Sequence, residues 1–465
     1  MAKKSENDPI LDILNEADKV AKLNAISLSN EDRLHCGLIC VDVVLGGGIA
    51  PGWYTFFGPE QSAKTTLAIT TMASTIPQKV PIAALWDAEN SSGSSTEYIE
   101  NIFKTLGIKA NVETIFGVRK DGKWAERPLV YYQDDPRGDA FFNWLHALEK
   151  RLPDKRYDSG QWWLVYDKTQ DNMAKYGSQM NKKQSQMNGG IWIPAEDSSL
   201  QAIILCDSYP AMVPSQQDQD EGTDAMAVQA RMFSKHIPRV KGYLRSKRVA
   251  VIGINQLRLN PGARFSSPEY EPGGQALAFF SDARIRMFPR SLSGVPFNPK
   301  GAKDGTKTDS RFEEEPSVEG DGVDTYRYVH IKAIKNKLSL PNRESWLRVW
   351  VSDAEGNARG FDPVWDTFYA LYQTGQLTGK RSQIRLNIKG LGEAKRVLSW
   401  LDFKTLILGS KEQQIPIFKA IGYRPINLRK GLLNQVRKGV AEELYVEFHK
   451  EQKAVKKSKA DQDDD

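Results

Sequence analysis

The sequence predicts an α/β fold with a mainly parallel sheet, and three observations predict it. Four apolar runs, Trp53–Phe57, Ile82–Trp86, Ala202–Cys206 and Val249–Ile254, have the length and content of buried strands. Helical patterns follow the first two of them, over Thr65–Ile76 and Thr96–Leu106. A short loop, Gly58–Thr66, carries the chain from the first strand into the first helix. Strands that alternate with helices imply crossover connections, which place helices on both faces of the sheet.

The 465 residues suggest about three domains, or two with insertions. With 40% hydrophobic and 26% charged residues, a sizeable core is affordable and wholesale disorder is excluded. No apolar run approaches the roughly 20 residues of a membrane span. The opening, Met1 to Asp8 and then Pro9-Ile10-Leu11-Asp12, lacks the apolar stretch of a secretory signal, so a soluble, cytoplasmic protein with no membrane partner is expected. Three cysteines fit a reducing compartment. A net charge of +6 permits nucleic acid as a partner without arguing for it.

Along the chain, residues 1–30 repeat apolar positions at helical spacing, a segment that docks either on its own domain or on a neighbouring subunit. Residues 31–355 hold the α/β core. Two stretches interrupt it: 154–199, a polar insertion carrying its own strand around Trp162–Tyr166, and 291–324, a Gly-, Ser- and Pro-rich mobile loop. A smaller α+β C-terminal domain covers 356–450, and 451–465 is a disordered charged tail. His35, Cys36 and Cys40 lie close together, but no second cluster completes a metal site, so they read as structural.

Gly58-Pro59-Glu60-Gln61-Ser62-Ala63-Lys64-Thr65-Thr66 matches G-x-x-x-x-G-K-[ST], with Ala63 in place of the second glycine. Amides of such a loop and of the helix start face phosphate oxygens. Lys64 is expected to reach the β- and γ-phosphates of ATP, and Thr65 to coordinate Mg²⁺. The replaced glycine is expected at positive φ, where alanine costs about 1–2 kcal/mol. A second carboxylate near the metal ends one of two apolar runs, at Asp167 or Asp207. Asp207 is preferred because it ends the cleaner strand. Glu89, just past Ile82–Trp86, stands where a carboxylate can orient attacking water.

Gly58–Thr66, Asp87-Ala88-Glu89, Asp207-Ser208, Ile254-Asn255-Gln256-Leu257-Arg258, Gly273-Gly274 and Lys335-Asn336-Lys337 occur in this order. In these six motifs the chain resembles the RecA family of recombinases, from about Leu38 to Pro341, and its insertions and altered loop resemble a phage-type branch. The resemblance implies a helical filament of subunits on single-stranded DNA, ATP between neighbours, and strand exchange with homologous duplex. It implies Glu89 as the catalytic carboxylate and Gln256 as the residue that senses the γ-phosphate. Lys335 and Lys337 would reach the ATP of the adjacent subunit, and Tyr98 is the nearest aromatic for stacking on adenine. Single-strand-binding and loader proteins are further candidate partners.

The family places two loops against DNA. The first, Ala211 to Arg231, is acidic here, which leaves Arg231 and, more loosely, Arg239 for phosphate contact. The second, Leu257 to about Ala276, holds Arg258, Arg264 and Phe265, then Gly273, Gly274 and Gln275. Arginines and glycine-exposed amides suit a phosphate backbone, and an aromatic can lie against bases without reading sequence. A Gly-rich turn at Lys389–Arg396 is either a duplex contact or a plain helix cap. The competing readings are a hexameric RecA-fold helicase and a non-catalytic DNA-binding filament or mediator.

Overall fold

The computed structural model describes residues 33–91, 96–120, 123–195, 199–215, 225–259, 269–296, 311–317, 322–387 and 397–407. The N-terminal segment 1–30, residues 216–224 of the first loop, Arg264, Phe265, Lys389–Arg396 and the tail 451–465 lie outside them.

In chain order, α1 (Ile39–Leu45) precedes β1 (Gly52–Gly58), α2 (Lys64–Ser74), β2 (Ile82–Asp87) and α3 (Thr96–Thr105). Then come β3 (Tyr131–Gln133), α4 (Gly138–Arg151), and three strands of the insertion, β4 (Asp154–Asp158), β5 (Gln161–Tyr166) and β6 (Ile191–Pro194). The core resumes with β7 (Ala202–Asp207), α5 (Ala225–Leu244), β8 (Val249–Gln256), α6 (Gln275–Phe280) and β9 (Ala283–Arg290). After these stand β10 (Phe312–Pro316), β11 (Val323–Asn336), β12 (Glu344–Ser352), β13 (Gly360–Phe361) and α7 (Pro363–Gln373).

Apart from β4, β5 and β6, these strands form one ten-stranded sheet in the order β13-β12-β11-β9-β1-β8-β7-β2-β3, with β10 paired to β11. From β9 to β3 every pairing is parallel. The other end, β9 through β13, is antiparallel. The predicted parallel sheet is therefore present, extended by an antiparallel wing.

Strand periodicity divides the core between two faces. Tyr54, Phe56, Ile203 and Leu205 face one apolar cluster, which includes Leu67 and Met72 of α2 and Ile99 and Phe103 of α3. Trp53, Ile204 and Cys206 face the other, with Phe141 and Phe142 of α4 and Phe233 and Ile237 of α5. Trp365 and Phe368 of α7, with Phe403 and Ile407, join the first cluster, so the described part of 356–450 shares its core with the preceding sheet. Beyond α7, Leu377–Lys380, Gln383–Leu386 and Val397–Leu398 make a small antiparallel sheet beside the helix Trp400–Ile407.

Two expectations need correction. Residues 154–199 carry three strands, not one: β4, β5 and β6 form an antiparallel sheet of their own, with Trp162, Trp163 and Trp192 buried in it. The stretch 291–324 is not all loop, because β10 lies within it. The inward residues of β10 are Glu313 and Glu315, so apolar alternation does not announce the strand. Arg348, Arg381 and Lys404 compensate them, with Glu313 Oε1 2.7 Å from Arg381 Nη1 and Glu315 Oε1 2.8 Å from Arg348 Nη1. Among the described residues no helix is long and apolar enough to cross a membrane.

Candidate functional site

The parallel strands end together at one edge of the sheet. Asp87 pairs in register with Asp207, and Cys206 with Gly253. That alignment brings the residues just after β2, β7 and β8 close to the loop after β1.

The loop leads straight into α2, whose N-cap is Ala63 at φ 60° and ψ 30°. The left-handed conformation expected at the missing glycine is present. Gln61 also has a positive φ, 57°. Each costs about 1–2 kcal/mol relative to a right-handed residue, so the loop is held in a strained form by its surroundings. Lys64 is buried, and its Nζ donates to Pro59 O at 2.6 Å and to Ser62 Oγ at 3.3 Å. Burial lowers its pKa, against the pull of Asp207, Glu89 and Glu60.

Thr65 Oγ1 donates to Asp207 Oδ2 at 2.8 Å. This hydroxyl and carboxylate, 142 positions apart in sequence, are the donor types a phosphate-loop Mg²⁺ takes, so the residues present fit that ion. Burial raises the Asp207 pKa to about 7; Thr65 opposes the shift, while Glu89 and Asp87 add to it. A cation at this position would relieve the crowding of negative charge. Asp167, the alternative, is exposed and lies past β5 in the insertion sheet.

Glu89 is exposed, and its amide donates to Asp207 O at 3.2 Å. Its Oε1 accepts from Ser208 Oγ and, at 3.2 Å, from Gln256 Nε2. The neighbouring Asn255 is buried; its Nδ2 donates to Pro272 O at 3.1 Å, and Gly273 follows at once. Residues 255 and 256 thus connect the Glu89 carboxylate with the end of the second loop. Tyr98 lies on α3, with its hydroxyl 2.7 Å from Thr66 Oγ1.

The second loop begins as a short ribbon in which Arg258 pairs with Tyr270. Arg258 is exposed, as are Arg231 and Arg239 on α5 and Gln275 at the start of α6. Gly273 (φ 90°) is buried, and a Cβ there would meet Leu277 Cδ1 at 2.6 Å. Gly274 (φ 74°) is exposed but passes close to Ala230 of α5. Lys335 stands at the end of β11 and Lys337 just past it. Lys335 Nζ donates to Ala278 O at 2.8 Å and to Phe279 O at 2.6 Å, capping α6, while Lys337 is exposed.

Sequence reasoning missed several residues here. Arg284 and Arg286 on β9 pair with Glu271 and Glu269 and tie down the return of the second loop. Arg327 on β11 donates from Nη1 to Gln61 O at 2.8 Å. No local pattern marks Arg327, because its partner is 266 positions away and only strand register brings them together. His35 Nδ1 lies 2.8 Å from Asp42 Oδ2, and Cys36 and Cys40 are buried free thiols, in keeping with a structural role. No three-ligand metal cluster occurs among the described residues.

A family model described as the RecA N-terminal domain matches residues 195–293. The chain is 30% identical over 291 residues to Protein RecA of Aquifex pyrophilus, covering 62% of this chain and 70% of that protein. It is 34% identical over 323 residues to Protein RecA of Mycoplasma mobile, covering 69% of each. A crystal structure of the RadB recombinase superposes with a TM-score of 0.37 at 14% identity, covering 70% of this chain and 98% of that one, a likeness too loose to argue from.

Proposed function

This chain belongs to the RecA family, and from that premise we propose that it is an ATP- and Mg²⁺-dependent recombinase. It assembles as a helical filament on single-stranded DNA and pairs that strand with homologous duplex. The observation that carries the reading is the hydrogen bond from Gln256 to Glu89, with Asn255 bonded to the end of the second loop. One short segment thereby touches the carboxylate that would orient water and the loop that would touch DNA.

In this reading the Gly58–Thr66 loop holds the phosphates, and Lys64 turns from Pro59 O to the β- and γ-phosphates. Thr65 and Asp207 would hold Mg²⁺, which would neutralise charge on the transferring phosphoryl group. Glu89 orients and deprotonates water, and Gln256 reports the γ-phosphate to the second loop. Tyr98 lies along α3 toward the adenine. Arg231, Arg239, Arg258, Arg264 and Phe265 contact DNA together with the Gly273-Gly274-Gln275 turn. Lys335 and Lys337 serve the neighbour's ATP. The insertions fit a phage-type branch acting in the cytoplasm of a bacterial host, with single-strand-binding and loader proteins as accessory partners.

Negative-stain imaging with single-stranded DNA and ATP, beside turnover assays with and without that DNA, tests the proposal. Filaments and DNA-stimulated turnover are expected. Closed rings would favour a helicase, and filaments with no turnover a structural or mediator role.

A further inference from the structure

The phosphate loop carries a cation that its sequence motif does not contain. Arg327 sits on β11, two strands from β1 in the sheet, and reaches back over the loop. Its side chain is half-buried, and one N–H is spent on the carbonyl of Gln61. A guanidinium has five N–H donors and no acceptor. No carboxylate pairs with this one among the described residues. The fully buried arginines nearby are compensated: Arg348 and Arg381 each contact glutamates. Burial lowers the Arg327 pKa, and the nearby Tyr98 phenol acts against that. A half-exposed guanidinium beside the loop, with donors that face no carboxylate, can take an anion.

We propose that Arg327 binds the α- or β-phosphate of the nucleotide while holding Gln61, so that the loop is clamped from the β11 side. The inference rests on the reading of Gly58–Thr66 as a nucleotide site. The loop amides of such a site cradle the α- and β-phosphates, and Arg327 is anchored to that loop. Lys64 and the neighbour's lysines are left for the γ-phosphate. The bond to Gln61 O also steadies a turn that contains two left-handed non-glycine residues. An arginine suits both tasks because its planar fork can serve a carbonyl and a phosphate at once.

The test is titration of the full chain with fluorescent analogues of ATP and ADP, alongside thermal unfolding without nucleotide. Arg327→Gln keeps a donor for Gln61 O and removes the charge. It should weaken both ATP and ADP about tenfold or more, the size of a charge-assisted hydrogen bond, with an unchanged unfolding temperature. Arg327→Lys should recover part of the loss. Wild-type affinity in Arg327→Gln overturns the inference, and a loss confined to ATP overturns the assignment to the α- or β-phosphate. A lowered unfolding temperature with unchanged affinity would make Arg327 a brace alone. Wild type that binds neither nucleotide, with Lys64→Ala indistinguishable from it, removes the nucleotide site itself and the inference with it.

Discussion

Gln256 Nε2 lies 3.2 Å from Glu89 Oε1, although 167 positions separate the two residues. Glu89 and Ser208 follow the ends of the neighbouring strands β2 and β7, Gln256 ends β8 beside them, and the Ser208 and Gln256 side chains both donate to the carboxylate. A carboxylate held this way is aimed, and it keeps acceptor capacity for a water. Glu89→Gln retains size and polarity but loses the base. Turnover should fall about 10²–10⁴-fold while nucleotide binding persists and DNA filaments last longer. Single-turnover kinetics and nucleotide titration check this, and turnover within about threefold of wild type would remove Glu89 from the mechanism.

The parts of the site written in short stretches were legible. Gly58–Thr66 announces itself between a strand and a helix, and Asp207 and Glu89 could be placed because parallel strands deliver their last residues to one edge. The left-handed conformation of Ala63 followed from the missing glycine. Arg327 and the pairs Arg284–Glu271 and Arg286–Glu269 were not legible, because each depends on a register that local pattern does not encode. Strand β10 was hidden for a different reason. Glu313 and Glu315 point inward, and their compensation comes from Arg348 and Arg381, far along the chain.

That buried cluster makes a stability prediction. Glu315 meets Arg348, Arg381 and Lys404, and its second oxygen accepts from Trp400 Nε1 at 3.1 Å. Burial opposes its charge, but the three cations hold its carboxyl well below the usual range. Glu315→Gln leaves those cations short of one negative charge in a dry site. The loss should be about 3–5 kcal/mol in a denaturant titration, as for other broken buried pairs. A change under about 1 kcal/mol would mean that water enters the cluster.

Asp207 predicts a pH dependence. Its folded pKa of about 7 is above its ordinary value of 3.8, chiefly because it is buried. Between those values the folded chain keeps a proton that the unfolded chain releases. Its contribution to stability without nucleotide therefore declines as pH rises from about 4 to about 7. Asp207→Asn retains an acceptor for Thr65 and does not titrate. Relative to that variant, wild type should lose on the order of 1 kcal/mol or more between pH 5 and pH 7.5. Mg²⁺-dependent nucleotide binding should strengthen over the same window, since the metal needs the carboxylate. Parallel pH profiles for the two proteins would place the titration elsewhere.

Ala63 is the loop's departure from its motif, and Ala63→Gly tests what that departure costs. Glycine relieves the left-handed strain, about 1–2 kcal/mol, but adds roughly 0.4–1 kcal/mol of unfolded-state entropy. The variant should be as stable as wild type or up to about 1 kcal/mol more stable, and should bind nucleotide at least as tightly. A clear loss of either would mean that the Ala63 methyl packs usefully in its buried position.

Lys335 and Lys337 test the filament most directly. In the free chain Lys335 caps α6 through Ala278 O and Phe279 O, and α6 begins at the end of the second loop. A lysine that leaves this cap for a neighbour's γ-phosphate would give up hold on α6 as it gains the phosphate. Nucleotide at the junction would then act on the DNA-contacting loop of the subunit that supplies the lysine. Cations reaching across a junction can also stabilise the transferring phosphoryl group, as arginine fingers do in trans. Lys335→Ala with Lys337→Ala should therefore abolish DNA-stimulated turnover while the fold persists. If Lys335 served only as the α6 cap and Lys337 only as surface charge, turnover would change little. Mixing separates the cases: the double variant still has Lys64 and Glu89, and Glu89→Gln still has both lysines. Mixed filaments should recover turnover at junctions where one subunit brings the intact lysines and the other the intact carboxylate. Silence in every mixture, once co-assembly is confirmed by labelled subunits, would place both groups within one subunit.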